Sequence, residues 1–225
     1  MKRGLASLLL VLSFSFSASA QHLDGWEECD NGKPDVAIFA CEKVLKSAQT
    51  DSVRAQGHIQ RGNAYSALGE YQRALADYEA ALKIEPENFT AMLNRSAELI
   101  RMGRDGDALL QLDHATRLNP SSALPFNNRA IVHLKMGKPA EALAAANTAI
   151  ELNPAVALAY NARSLAYQRL GQIREALIDI DRAIALEEKN EIFLERRAEL
   201  HAMNREPDKA IADLTTLIEA NPATT

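Results

Sequence analysis

Residues of the same type recur at one fixed interval through most of this chain, and that interval limits the folds that it can adopt. Arginine, alanine, glycine and proline each recur at the interval that separates Arg61 from Arg95, always at the same positions within the repeating unit. The recurring residues are Arg61, Arg95, Arg129, Arg163 and Arg197; Ala74, Ala108, Ala142, Ala176 and Ala210; Ala81, Ala115, Ala149 and Ala183; Gly69, Gly103, Gly137 and Gly171; and Pro86, Pro120, Pro154 and Pro222. A fixed period on the order of 20–50 residues is typical of a solenoid, in which each unit packs only on its neighbours. The period therefore predicts a stacked array of similar units.

Each period divides into two helices separated by a turn. In the unit 55–88, residues 55–68 are rich in helix-forming residues, and Gly69 stands where a residue that ends a helix takes a positive φ. Residues 71–84 resume an apolar pattern with the period of a helix. Pro86 ends the second helix, because proline has no amide hydrogen and restricts the residue before it. The sequence thus predicts an antiparallel helix pair in every period.

Small residues are expected where the two helices of a unit touch. Gly62 on the first helix and Ala74 and Ala81 on the second fall on the faces predicted to meet. Two helices approach closely only where their side chains are short, so these positions set the distance between the helix axes. Tyr65 and Tyr78 are expected to fill the remaining volume.

The unit 55–88 resembles the tetratricopeptide repeat. It contains Leu68-Gly69-x-Tyr71-x-x-Ala74, followed by Tyr78, Ala81 and Pro86. The resemblance continues through units 89–122, 123–156, 157–190 and 191–224. It implies an all-α fold, a right-handed superhelical solenoid of antiparallel helix pairs.

Later units depart from this motif at single positions. Asp105 and Pro139 stand in the place of Tyr71, and Glu188 replaces the proline of the fourth unit. Arg205 replaces the turn glycine of the fifth unit, and Leu217 replaces an alanine of the second helix. Small residues persist elsewhere in each unit, so the fold is expected to tolerate these changes.

The segment before the repeats has the pattern of a secretory signal peptide. Lys2 and Arg3 precede an apolar stretch at 5–16, and Ala18-Ser19-Ala20 has the small residues of a cleavage site. The alternative is a membrane anchor, but the apolar stretch is shorter than the ~20 residues that a spanning helix needs. We expect residues 1–20 to be a signal peptide cleaved after Ala20, which leaves a periplasmic or secreted chain with no integral membrane segment.

Residues 21–54 are expected to form a degenerate N-terminal cap repeat. The interval from Leu45 to Leu82 exceeds the repeat period by three, so the pattern slips at this boundary. The cap contains the chain's only cysteines, Cys29 and Cys41, and an even number of cysteines in an exported protein indicates a disulfide. Two buried free thiols and a metal site are the alternatives. A signal peptide followed by a cysteine-containing cap and helical repeats resembles exported bacterial tetratricopeptide proteins.

The C-terminal unit is expected to leave an apolar surface uncovered. Ile211 and Ile218 lie on its second helix, on the face that would contact a further unit. Self-association or a partner protein could cover that face. The formal net charge is −5, with acidic and basic residues interleaved. Nucleic acid is therefore a poor partner, because phosphate binding requires clustered cations.

The sequence offers no constellation for catalysis, a cofactor or a metal ion. It contains no phosphate-binding glycine loop and no His-Glu-x-x-His, Gly-x-Ser-x-Gly or Cys-x-x-Cys motif. The five histidines are scattered, and His133 and His201 occupy the position of Tyr65, where a packing role is expected. Aspartates and glutamates are expected at solvent-facing helix positions. We predict a non-catalytic protein.

The periodic arginines have two possible roles. Arg61, Arg163 and Arg197 are each followed sixteen residues later by an aspartate, namely Asp77, Asp179 and Asp213. Antiparallel helices could bring each pair together in charge-assisted hydrogen bonds. In the second and third units that position holds an uncharged residue, so those two arginines are expected to lack this partner. The arginines could form a structural ladder or a strip that faces a ligand.

The resemblance also implies a concave groove lined by the first helix of each unit. The groove positions hold asparagines and aliphatic residues: Asn63, Leu93, Asn94, Leu124, Asn127, Asn128, Ile131, Leu158, Asn161 and Leu165. An asparagine amide both donates and accepts hydrogen bonds, which suits the backbone of an extended peptide, although these amides could also merely be solvated. Aliphatic residues hold the places of lysines in the family's carboxylate-binding clamp, so capture of a C-terminal carboxylate is not expected.

The resemblance favours a scaffold of the bacterial cell envelope that binds a peptide or protein segment in the groove. The alternative is an accessory subunit of an envelope assembly or secretion complex that docks through its C-terminal helix.

Overall fold

The structure, a computed structural model, describes residues 24–220, which form twelve α-helices and no β-strand. The helices are α1 (Trp26–Asn31), α2 (Pro34–Ser47), α3 (Asp51–Ala67), α4 (Tyr71–Ile84), α5 (Phe89–Arg101), α6 (Asp105–Leu118), α7 (Ala123–Lys135), α8 (Pro139–Leu152), α9 (Ala157–Arg169), α10 (Ile173–Leu186), α11 (Glu191–Met203) and α12 (Pro207–Ala220). The fold is a right-handed superhelical solenoid of antiparallel helix pairs, as predicted. The expected signal peptide and the last residues of the fifth unit lie outside the described residues.

The turn inside each repeat depends on one left-handed residue. Gly69, Gly103, Gly137 and Gly171 have φ values between 71° and 76°. In the first repeat this lets the amide of Glu70 donate to the carbonyl oxygen of Tyr65 at 2.9 Å, which satisfies a carbonyl at the helix end. Arg205 occupies the same conformation in the fifth repeat, with a φ of 62°. The turn is therefore preserved there at the expense of backbone strain.

Small residues lie at the contact between the two helices of each repeat, as predicted. Ala74 and Ala81 are fully buried. A Cβ atom placed on Gly62 would lie only 2.7 Å from Cε1 of Tyr78. In the first repeat, the bulky Tyr78 on α4 therefore packs against Gly62 on α3, which has no side chain.

The hydrophobic core continues from one repeat to the next. One cluster of buried residues takes Leu75 from α4, Met92 and Leu99 from α5, Leu112 from α6 and Val132 from α7. The second helix of a repeat thus shares its core with the first helix of the next repeat. Each repeat buries its apolar faces only when its neighbours are present.

The extra length of α3 explains the three-residue slip at the cap. We expected the first repeat to begin at residue 55, but α3 begins at Asp51, where the side chain of Thr50 accepts a hydrogen bond from the amide of Val53. This helix has 17 residues, whereas each later first helix has 13. The connection before it is one residue shorter than the corresponding connection between later repeats. Four added residues and one lost residue account for the slip.

The cap is a short helix pair joined by a disulfide. Cys29 on α1 and Cys41 on α2 are bonded, as predicted. Trp26, Val44 and Val53 pack around the bond in a buried cluster that reaches α3. A six-residue helix such as α1 buries little surface, so the covalent link holds it against α2.

The first helices form the inner side of the solenoid. Successive first helices α3, α5, α7 and α9 contact one another, whereas successive second helices make no comparable contact within residues 24–220. The side on which neighbours approach more closely is the concave side of a curved stack. No helix in the same range combines the length and apolar character needed to span a bilayer.

Candidate functional site

Bidentate ion pairs connect the two helices of three repeats. The Nε and Nη2 atoms of Arg61 both donate to Asp77 at 2.8 Å. Arg163 donates to Asp179 at 2.7 Å through the same two atoms. Arg197 repeats the arrangement with Asp213, at 2.9 and 2.5 Å. The predicted pairing between the antiparallel helices is confirmed.

A second set of contacts joins four of the five periodic arginines to the preceding repeat. The acceptors lie sixteen residues before the arginine and are Glu79 for Arg95, Asp113 for Arg129, Asn147 for Arg163 and Asp181 for Arg197. These acceptors also recur with the repeat period, which could have revealed them in the sequence. The arginines therefore form a structural ladder between repeats.

Arg95 and Arg129 lack the aspartate sixteen residues later, as expected, but each has other partners. Arg95 donates to Gln111 of its own repeat at 2.6 Å and to Glu79 at 3.1 Å. Arg129 pairs with Asp113, although its Nε atom is buried without a partner among the described residues. The preceding repeat supplies a carboxylate wherever the arginine's own repeat does not.

The ladder changes the proton affinity of its members. Burial by itself raises the pKa of Asp77, but hydrogen bonds from Arg61 and His58 outweigh burial and hold that pKa below its usual range. The hydrogen bond to Asp77 raises the pKa of Arg61 against the opposing effect of burial. The pair therefore stays ionised near neutral pH, and His58 contributes to it at 2.8 Å.

The residues predicted to line the groove differ in their exposure. Leu124 and Leu158 are 48% and 49% exposed, and Asn63 is also exposed. Leu93 and Asn127 differ from expectation, because they are only 8% and 3% exposed. Their side chains point between helices and not into an open groove. The remaining predicted groove residues are half-buried, namely Asn94, Asn128, Ile131, Asn161 and Leu165.

One groove residue was missed. Ile192 follows Leu158 by one repeat period, just as Leu158 follows Leu124, and Ile192 is 61% exposed. The repeat period alone could have identified it. The three side chains occupy equivalent positions on α7, α9 and α11 and form an exposed aliphatic row, here called the aliphatic row, on the inner side of the solenoid.

The asparagines of the first two repeats bond to the protein itself. The Oδ1 atom of Asn63 accepts hydrogen bonds from Asn94 Nδ2 and from the hydroxyl of Tyr78, both at 2.8 Å. The Nδ2 atom of Asn63 donates to Gln60 at 2.9 Å. A peptide backbone would have to compete with these contacts, so Asn63 is less available than its position suggested.

Glu98 contradicts the expectation that acidic residues face solvent. It lies on α5 and is 1% exposed. Its Oε1 atom accepts from Ser66 at 2.6 Å and from Arg101 at 2.5 Å, and Arg101 also lies over the ring of Tyr71. Burial, followed by the charge of Glu98, raises the pKa of Tyr78. Glu98 therefore links α5 to α3 beneath the inner surface.

Potential metal ligands are not clustered in the part of the chain that the structure describes. No group of three or more histidine, cysteine or acidic side chains within residues 24–220 could hold a metal ion. His201 bonds to Glu206 at 2.8 Å. His133 is half-buried, and its Nδ1 atom has no hydrogen-bond partner among the described residues. Desolvation lowers the pKa of His133. These two histidines lie on different helices, α7 and α11.

The helix pairs, the left-handed turn residues and the small-residue contacts define a tetratricopeptide solenoid. Models of the tetratricopeptide repeat match residues 55–88, 123–156 and 161–223. The chain therefore belongs to the tetratricopeptide repeat family. Proteins of this family are generally non-catalytic scaffolds that bind protein or peptide partners.

Sequence relatives resemble only a short part of the chain. A stretch of 62 residues is 42% identical to dynein axonemal assembly factor 4 of Mus musculus, covering 28% of this chain and 14% of that protein. A stretch of 81 residues is 32% identical to FK506-binding protein-like of Mus musculus, covering 34% and 21%. The chain thus spans less than a quarter of the length of either relative.

Solved structures share the fold over most of the chain. A thermophilic TPR protein of Thermus thermophilus, TTC0263, superposes with a TM-score of 0.71 at 24% identity over 76% of this chain and 93% of that one. A tetratricopeptide repeat protein of Parabacteroides merdae gives 0.69 at 19% identity over 87% and 76%. YrrB, a TPR protein with an unusual peptide-binding site, gives 0.53 at 22% identity over 84% and 95%.

Proposed function

We propose that this protein is a non-catalytic scaffold of the bacterial cell envelope that binds an extended segment of a partner protein on its inner surface. The observation that carries the proposal is the aliphatic row. Leu124, Leu158 and Ile192 are each about half exposed or more, although apolar residues beside them on the same helices, such as Ala159 and Phe193, are buried. An aligned row of exposed aliphatic side chains is a feature of protein-binding surfaces.

The repeat geometry supports an extended ligand. Equivalent positions on successive first helices present the same side-chain class at regular intervals, so a ligand lying across several repeats meets the row more than once. Peptide binding is one use of this fold, as in YrrB. The bonded pair Asn63 and Asn94 contributes less to such binding than the aliphatic residues do, because its amides already have partners.

A binding experiment with a matched control tests the proposal. The mature chain would be used to isolate partners from envelope extracts, and each partner would then be titrated against two variants. Leu158→Asp changes the aliphatic row, whereas Leu110→Asp changes a leucine that is 70% exposed on the second helix α6. We expect Leu158→Asp to weaken binding at least tenfold and Leu110→Asp to leave it unchanged. The reverse pattern would place the binding surface on the outer side.

The location in the envelope rests on two features of the N-terminal region. Residues 1–20 have the composition of a signal peptide, and Cys29 and Cys41 are bonded, which suits an oxidising compartment. Fractionation of cells that express the full chain would test this. A mature protein that begins at Gln21 in the periplasmic or secreted fraction supports export, and an uncleaved chain in the cytosol contradicts it.

The second candidate is docking or self-association through α12. Ile211, Leu214 and Ile218 are about half exposed or more on this helix. The equivalent face of α10 packs against α11, where Phe193 is fully buried. Sedimentation of the wild-type chain and of an Ile211→Glu/Ile218→Glu variant tests this candidate. A concentration-dependent dimer that the variant abolishes supports it, and a monomer at all concentrations rules out self-association.

A further inference from the structure

Arg196 differs from every other arginine that is at least partly buried in the described residues. The others each form an ion pair with a carboxylate, and they are Arg54, Arg61, Arg95, Arg129, Arg163 and Arg197. Arg196 forms none among residues 24–220. It donates a hydrogen bond from Nε to Asn161 Oδ1 at 2.7 Å. A guanidinium that is partly removed from water without a counter-ion is costly, so proteins seldom retain one without a use.

Arg196 lies among charges of both signs. Desolvation lowers its pKa, the charge of Glu199 opposes this, and the charge of Arg169 lowers the pKa further. Arg169 is exposed on α9 and has no ion pair among the described residues. The charges of Glu199 and Arg169 therefore act on Arg196 in opposite directions.

The helical spacing places these charges on the inner surface beside the aliphatic row. One face of α9 and one face of α11 carry the relevant residues, which are Leu158, Asn161, Leu165 and Arg169 on α9 and Ile192, Arg196, Glu199 and Met203 on α11. The bond between Asn161 and Arg196 joins the two faces. On this surface Arg196 therefore has apolar side chains on both sides along the helices. Leu158 and Ile192 lie toward one end, and Leu165 and Met203 lie toward the other.

We propose that Arg196, assisted by Arg169, binds the carboxylate of an aspartate or glutamate side chain within an aliphatic segment of a partner protein. This inference rests on the proposed function and specifies the ligand chemistry at the fourth and fifth repeats. The Nη atoms of Arg196 can donate two parallel hydrogen bonds to a carboxylate, and Asn161 fixes the guanidinium by holding Nε. Aliphatic residues of the ligand on either side of its carboxylate contact Leu158 and Ile192 toward one end and Leu165 and Met203 toward the other.

An internal acidic residue fits this surface better than a chain terminus. Apolar side chains lie on both sides of Arg196, so a ligand gains contact by continuing past the cation in both directions. A terminal carboxylate would leave one of the two apolar sides uncovered. The charge-assisted bond supplies selectivity, and the aliphatic contacts supply most of the buried area.

Fluorescence anisotropy with defined peptides tests the inference on the full mature chain. The probes are labelled peptides with blocked ends that carry one glutamate between leucines and valines, the same peptides with glutamine, and glutamine peptides with a free C-terminal carboxylate. The protein variants are Arg196→Gln, Arg196→Lys and Arg182→Gln, the last an exposed arginine on α10 that makes no ion pair among the described residues. Circular dichroism confirms that each variant is folded.

We expect the wild-type chain and Arg182→Gln to bind the glutamate peptides about tenfold or more tightly than the glutamine peptides. Arg196→Gln should abolish that preference, and Arg196→Lys should retain part of it, because lysine keeps the charge without the planar fork. Raising the salt concentration should reduce the preference. Absence of any glutamate preference in the wild type, persistence of it in Arg196→Gln, or preference for the free carboxylate peptides would overturn the inference.

The outcomes separate this inference from the proposed function. Peptide binding that Leu158→Asp abolishes but that shows no glutamate preference would retain the groove and reject the role of Arg196. The opposite result is a glutamate preference that depends on Arg196, together with isolated partners that bind Leu158→Asp as tightly as the wild type. That result would support the role of Arg196 and reject the groove as the principal binding surface. Failure of every peptide to bind would count against the role of Arg196.

Discussion

The contact between Gly62 and Tyr78 makes a quantitative prediction about helix packing in the first repeat. In the variant Gly62→Ala, the new Cβ atom would lie 2.7 Å from Cε1 and 3.0 Å from Cδ1 of the tyrosine ring. Carbon atoms normally contact at about 3.5–4.0 Å, so the ring or the helix must move by roughly 1 Å. Tyr78 is 1% exposed and its hydroxyl is bonded to Asn63, so the ring has no free direction in which to move.

Two effects of opposite sign determine the result. Overpacking of a core costs about 1–3 kcal/mol. Replacing glycine by alanine inside a helix stabilises it by about 0.5–1 kcal/mol. We therefore expect Gly62→Ala to lower the free energy of unfolding by about 1–2 kcal/mol.

The background Tyr78→Leu should reverse the sign. The second repeat already places Leu112 opposite Ser96, and both are fully buried. With leucine at position 78 the new methyl group has room, and Gly62→Ala should then raise the free energy of unfolding by about 0.5–1 kcal/mol. The coupling free energy between the two positions would be about 2 kcal/mol.

Urea denaturation followed by far-UV circular dichroism of the four proteins measures this coupling. Ala130→Gly is the matched control, because Ala130 faces Ala146 across the third repeat and no bulky ring limits it. It should lower the free energy of unfolding by about 1 kcal/mol. If Gly62→Ala changes stability equally in both backgrounds, the close approach of Gly62 to Tyr78 does not limit the packing of this repeat, and the reasoning fails.

Three other changes have expected outcomes. Arg205→Gly should raise the free energy of unfolding by about 0.5–1 kcal/mol, because it removes a left-handed non-glycine residue, and a decrease in urea denaturation would contradict this. Asp77 has a lowered pKa when folded, so its ionised form stabilises the protein above the unfolded pKa of about 4, and that contribution is lost as the pH falls through the folded value. The difference in unfolding free energy between wild type and Asp77→Asn should therefore narrow in acid titrations below about pH 4, and a constant difference would argue against the ion pair. Replacing Cys29 and Cys41 by alanine should lower stability by about 3 kcal/mol, and thiol titration of unreduced wild-type protein should find no free thiol.

Local periodicity determined the helix pairs and their internal contacts. The turn glycines, the small residues and the spacing of sixteen between Arg61 and Asp77 all lie within one unit. A contact of this kind depends only on helix geometry and on a short connection, and both can be derived from residue types and distances along the chain. The disulfide between Cys29 and Cys41 was also predictable from the sequence, because the cap contains no other cysteine.

The contacts between units were only partly readable from the sequence. Glu79 and Asp113 recur with the repeat period, so their pairing with the arginine of the next repeat was present in the pattern, but it required the relative placement of two repeats. The aliphatic row was extended to Ile192 by the same period. The position of each residue within its own repeat was therefore predictable from the sequence. The residue that it contacts in the adjacent repeat was not.

Burial and pairing on the inner surface depended on the tertiary structure. Leu93, Asn127 and Glu98 lie on first helices at positions that a single helix would expose, and the rotation of each repeat on the next buries them. Arg196 has no ion pair within residues 24–220, because the three-dimensional arrangement brings it to Asn161 and not to a carboxylate. Helix formation is determined by interactions over a few residues, whereas the angle and depth of packing between repeats result from the summed shapes of many side chains. The sequence alone thus specified the repeating unit, and the packing of units decided which of its side chains remain available to a partner.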